Sequence, residues 1–180
     1  MSEDTQTRVE FDEHGKRTTY DEIEIGKDLG SLDWVVGEED IEKQCAIDED
    51  YHPWFAADAQ RDGPDSDGDL WEGLIAPPQI HYRPPRWLLS RTYNIRGVFY
   101  KWEFENWKAI RPGEKIVVTG RILDKWIDRD REFMSYEAEG RDAAGDMVFR
   151  TARVHALDVI KRTAPREGAG RDSGIKQEKI

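Results

Sequence analysis

The chain has 180 residues, of which 38 are acidic and 27 basic, for a formal net charge of −11. That balance opposes counterion release from phosphates and excludes nucleic acid as the expected partner. With 37% apolar and 11% aromatic residues, one sizeable core can be buried but hardly two. A lone cysteine, Cys45, and a polar Met1–Thr7 without a basic-then-apolar leader point to a reducing, cytoplasmic setting. Apolar runs of only a few residues exclude the ~20 that a membrane-spanning helix needs.

Residues 1–19 and 163–180 are too polar to offset the entropy of ordering, so flexible tails are expected around one domain spanning 20–162. Ser31–Val36 alternates as a first strand and Gly37 ends it. Glu38–Ile47 opens with acids that suit a helix N-terminus and sets Ile41, Cys45 and Ala46 on one face. A long loop follows, marked by Pro53, Gly63, Pro64 and Gly68. Pro77 and Pro78 can open a helix that Gln79–Tyr93 continues. Inside it, Pro84 and Pro85 predict a kink or two short helices, with Trp87, Leu88 and Leu89 in the second.

From Val98 the period becomes two, which places Val98, Tyr100, Trp102 and Phe104 on the face that meets the helix. Further strands are expected at Lys115–Ile127, Glu132–Glu139 and Met147–Ile160, separated by turns at 111–114, 128–130 and 143–146. The order predicts an α+β fold in which an antiparallel sheet wraps around a central helix.

Two segments carry possible chemistry. Asp50 and His52 share one face of an extended stretch, where an acid and an imidazole could move protons; the competing reading is a surface imidazole beside Pro53. Gly73–Pro78 forms a backbone turn before a helix, yet its closing prolines have no N–H for a developing oxyanion. His155 reads as a satisfied sheet histidine, and Cys45 as a small core residue. The acids Asp62, Asp65, Asp67, Asp69 and Glu72 invite calcium, but counting from Asp65 puts Leu70 where the loop needs glycine, so no metal is expected.

In their order and spacing, Asp21–Gly26, Asp50–Phe55, Gly73–Pro78 and Arg111–Ile116 resemble the hot-dog fold and, within it, the MaoC-like acyl dehydratases, particularly their FAS1-like branch. The resemblance implies homo- or hetero-dimers of hot-dog subunits, acyl thioesters of coenzyme A or acyl carrier protein as ligands, no cofactor, and reversible addition of water to a 2-enoyl thioester. Active members carry an Asp, a His five positions later, and a Gly at the helix start. Here Asp50 stands at the first position, Phe55 at the second and Pro78 at the third.

Phe cannot accept a proton and Pro cannot donate to an enolate oxygen, so the chain resembles the subunit of a heteromeric dehydratase that encloses the acyl group without the full catalytic set. Asp50 and His52 remain its catalytic candidates, with Trp54, Phe55, Ala76, Pro77, Pro78 and His81 as acyl-binding candidates. Trp71, Trp87, Trp102 and Trp107 join Trp54 as candidates for shaping a tunnel or an interface. The rival expectations are a hot-dog acyl-CoA thioesterase and a non-catalytic acyl-CoA-binding module.

Overall fold

The computed structural model describes residues 15–55 and 73–157. Strand β1 (Asp28–Val35) leads into helix α1 (Glu38–Asp48) and a short 3₁₀ turn, Pro53–Phe55. After the segment outside the described residues come a second 3₁₀ turn (Pro78–Tyr82), helix α2 (Arg83–Thr92) and strands β2 (Val98–Asn106), β3 (Lys115–Asp128), β4 (Arg131–Arg141) and β5 (Met147–Ala156). The expected end of the last strand, 158–160, lies outside the described residues, as does the acidic stretch 62–72.

All strand pairs are antiparallel, in the order β1-β3-β4-β5-β2, so β2 is an edge. The β3–β4 hairpin turns through Arg129 and Asp130, both at positive φ (47° and 59°), as a two-residue type I′ loop requires. Ile116, Val118 and Ile122 of β3 are buried on the face that receives α2, as their spacing predicts. Leu88 and Leu89 are fully buried at the centre of α2, worth ~1.5–3 kcal/mol each by apolar transfer. A glycine lets the helix come this close: a Cβ on Gly120 would lie 2.8 Å from the Glu137 carbonyl oxygen and 3.1 Å from Leu88 Cδ2.

Helix α1 begins with Gly37 N–H donating to Asp40 Oδ2 at 3.1 Å and ends at Glu49 in the left-handed region. It buries Ile41, Gln44 and Cys45. Ala46, expected on that face, is exposed, because a turn of 100° per residue carries it past the core stripe.

Strand β2 departs from the expected alternation. Tyr100 is an extra residue between the pairs Phe99–His155 and Lys101–Val154, and this bulge shifts the inward set to Phe99 and Trp102. Tyr100 is therefore 65% exposed and leans on Phe133, and Val98 also faces solvent. Pro84 and Pro85 split the central helix as predicted, into the 3₁₀ turn at 78–82 and α2.

Candidate functional site

Five of the sequence-selected residues, Trp54, Phe55, Ala76, Pro77 and Pro78, converge on one cavity of about 260 Å³. Backbone bonds seal its two walls together: Ile75 N–H donates to the Trp54 carbonyl at 3.1 Å, and Ala76 N–H to the Ile110 carbonyl at 2.8 Å. The far wall is Asn106–Ile110, the last residue of the edge strand and the chain just beyond it. Asn106 Nδ2 donates to the Pro78 carbonyl at 3.2 Å and ties that wall to the helix start. Trp54 and Trp107 stand half-exposed at the rim.

The chemistry of this lining is mostly apolar. Its one charged side chain, Lys108, is held by Asp142 at 2.7 Å and Asp146 at 2.6 Å, and those hydrogen bonds raise the ammonium above its ordinary pKa. The amides of Ile75 and Ala76 are already spent, and Pro77 and Pro78 have none. Along 75–78 there is thus no free N–H to hold an oxyanion.

Asp50 and His52 lie beside the cavity without lining it. The carboxylate of Asp50 accepts the His52 amide at 3.2 Å, a local turn of the kind Asp favours. His52 Nδ1 accepts the Trp54 amide at 3.3 Å, and the ring rests on Trp54 and Phe55 with centroids 4.7 and 5.8 Å away. The Asp50 carboxylate therefore meets the His52 backbone. Because His52 is exposed and its hydrogen bonds and ring contacts stay within residues 50–55, His52→Ala is expected to change stability by no more than ~0.5 kcal/mol in urea unfolding.

His81 does not line the cavity. Its ring is fully buried, stacked on Phe149 with centroids 4.5 Å apart, with Trp102 and Phe104 edge-on at 5.6 and 5.2 Å. Neither ring nitrogen has a hydrogen-bond partner among the described residues. Burial first, and then the Arg153 guanidinium, push its pKa down to about 4, although the nearby Pro78 carbonyl pulls the other way without closing a bond.

His155 is buried on the same sheet face as expected, yet its Nε2 is unsatisfied; burial, Arg86 and Arg153 push it down to about 3. Arg153, absent from the sequence-level candidates, sits 1% exposed in the same cluster, with Tyr136 beneath it.

Of the remaining tryptophans, Trp102 donates to Thr151 Oγ1 at 2.7 Å, Trp87 packs partly buried against the core, and Trp71 lies outside the described residues. Cys45 Sγ donates weakly to the Phe55 carbonyl at 3.9 Å, and burial, then Asp50, raise its pKa, so it is an inert thiol beneath the cavity wall. Among the described residues no group of three or more His, Cys, Asp or Glu could hold a metal ion, and no helix is long and apolar enough to cross a membrane.

A larger hollow of about 610 Å³ lies across β1, β3 and β4. Its lining is charged, and Glu137 there is engaged by Arg121 at 2.6 Å and Arg150 at 2.7 Å. The smaller apolar cavity is the better ligand site, because such sites are apolar with few polar groups.

No protein-family model matches the sequence, and no curated protein matches it. Solved structures do match in three dimensions. A monoamine oxidase regulatory protein from Archaeoglobus is 15% identical, with TM-score 0.63, over 78% of this chain and 94% of that one. A MaoC-like dehydratase from Rhodospirillum rubrum is 18% identical, with TM-score 0.55, over 77% and 96%. The 3R-hydroxyacyl-ACP dehydratase complex HadBC from Mycobacterium tuberculosis matches at 15% identity and TM-score 0.60 over 73% and 95%. At such identities the shared property is the fold: the five-stranded antiparallel sheet around α2 is a hot-dog fold.

Proposed function

We propose that this hot-dog chain is the acyl-binding subunit of a heteromeric hydratase/dehydratase of the MaoC-like family, acting on acyl thioesters of coenzyme A or acyl carrier protein. The observation that carries the reading is the cavity wall itself: Phe55 and Pro78, which the resemblance sets at the positions of a proton acceptor and an amide donor, both line it. A cavity of about 260 Å³ also falls below the ~300–1,000 Å³ of complete small-molecule sites, as half of a shared site would. The edge strand β2, with Val98 49% and Tyr100 65% exposed, offers unpaired backbone and apolar surface to a second hot-dog subunit. HadBC is a dehydratase complex of the same fold.

The chemistry divides accordingly. The acyl chain packs against Trp54, Phe55 and Ala76, which excludes water from it. The partner subunit supplies the base for the water and the donors for the thioester oxygen. Missing an oxyanion donor costs ~10²–10³ in rate and missing a general base ~10²–10⁴, together ~10⁴ or more.

The test is steady-state hydration of crotonyl-CoA and a longer enoyl-CoA by the purified chain, alone and co-expressed with a hot-dog subunit that keeps the Asp and His. The isolated chain is expected to bind but to run at least ~10⁴-fold slower than the pair. Full activity alone would overturn the accessory role. Thiol release without hydration would mark a thioesterase, and binding without turnover in either state a non-catalytic module.

A further inference from the structure

Arg153 is a buried guanidinium with no ion pair among the described residues, an expensive arrangement unless every donor has a use. Its donors go to the backbone: Nη1 to the Tyr82 carbonyl at 2.6 Å and Nη2 to the His81 carbonyl at 3.2 Å, with Nε toward Thr151 Oγ1 at 3.4 Å. These two carbonyls belong to the junction where the second 3₁₀ turn becomes α2. In a 3₁₀ helix the His81 carbonyl would accept from residue 84, and in an α-helix from residue 85. Both are proline, so neither donor exists.

We infer that Arg153 is a positioning residue: it supplies to the central helix the hydrogen bond that Pro84 and Pro85 remove, and so holds the 3₁₀ turn whose first residue, Pro78, forms part of the cavity wall. The rings of Tyr82, Phe99 and Trp102 lie 5.1–5.8 Å from its guanidinium carbon and replace part of its lost hydration. Trp102 and Tyr136 flank it across the sheet, which aims the side chain at this junction. The consequence for the cavity rests on the acyl-site reading, whereas the hydrogen-bond role does not, and its test uses no acyl ligand.

The experiment is a double-mutant cycle in urea unfolding with Pro85→Ala, which restores an N–H that can reach the His81 carbonyl. Arg153→Met is expected to lower the folding equilibrium constant about 100-fold in the native background and about tenfold or less in the Pro85→Ala background. Equal losses in both backgrounds would overturn the inference. If Arg153→Met does not fold, Arg153→Lys gives the same comparison, because one ammonium nitrogen lacks the separately placed Nε, Nη1 and Nη2 donors of the guanidinium.

A second readout separates positioning from plain stability. Ile80 N–H donates to the Pro77 carbonyl at 3.0 Å inside the 3₁₀ turn. In Arg153→Lys its hydrogen exchange is expected to speed up about tenfold more than that of the Tyr136 amide in β4. The same factor at both amides would show that Arg153 only stabilises the whole fold, and would overturn the assignment.

Discussion

Between pH 7.5 and 5 the protein is expected to lose ~4 kcal/mol of folding stability, about 2 kcal/mol from each of His81 and His155. Both rings are buried, and their pKa values fall to about 4 and about 3. The groups that face them are Arg153 from β5, Arg86 from α2 and Tyr136 from β4, and no carboxylate contributes to either shift. The folded protein therefore keeps both histidines neutral at pH 5, while in the unfolded chain each binds a proton below ~6.5. Their contribution is nearly complete by about pH 7.5, one unit above the unfolded value, and is lost as pH falls towards the folded values.

Carboxylates do not confuse this window. Burial pushes the Glu137 carboxyl up, but Arg150 and Arg121 together hold it below its ordinary value, so its own loss begins only near pH 4.5. Urea unfolding at several pH values measures the slope, which should approach two protons near pH 5. His81→Gln should reduce it to one proton. Stabilities at pH 7.5 and 5 that agree within ~1 kcal/mol would show that the two rings are protonated or solvated in the folded state.

Gly140→Ala is expected to destabilise the fold by ~3 kcal/mol, at the upper end for overpacking a core. A Cβ at this position would lie 2.2, 2.6 and 2.7 Å from three carbon atoms of the Phe149 ring, its direct cross-strand partner. The ring cannot swing aside cheaply. It is fully buried, stacked on His81, and meets Trp34 edge-on at 6.4 Å. For a chain of this size the loss corresponds to a fall in Tm of ~6–12 °C in calorimetry.

The same substitution disturbs the site, because Phe149 packs on His81, and His81 lies in the 3₁₀ turn that begins at the cavity with Pro78. Phe149→Leu added to Gly140→Ala should recover part of the stability by removing the ring the new methyl meets. A Tm for Gly140→Ala within 2 °C of the native protein's would mean that the strands separate here more easily than their packing implies.

Local pattern made much of this fold readable. Ile116, Val118 and Ile122 announce a half-buried strand by spacing alone, and all three are in the core. Pro84 and Pro85 announce a broken helix, because a missing N–H acts at its own position whatever surrounds it. The order of two motifs singles out Trp54, Phe55, Ala76, Pro77 and Pro78, and these five residues line one cavity.

What the sequence could not announce depends on partners distant along the chain. One extra residue at Tyr100 changes which aromatics of β2 turn inward, and a bulge becomes visible only once β5 lies alongside. Asn106, Lys108, Ala109 and Ile110 reach the cavity because β2 ends beside the helix start, a juxtaposition no local signal encodes.

His81 and Arg153 are 72 positions apart, and one reads as a helix-start histidine and the other as an ordinary basic residue between apolar neighbours. Periodicity and proline chemistry are properties of a few consecutive residues, so the chain itself determines its strands and the break in its helix. Burial, desolvation and the pairing of a guanidinium with an orphaned carbonyl arise only when separate segments exclude water together, so tertiary structure alone decided where the buried cations and neutral imidazoles reside.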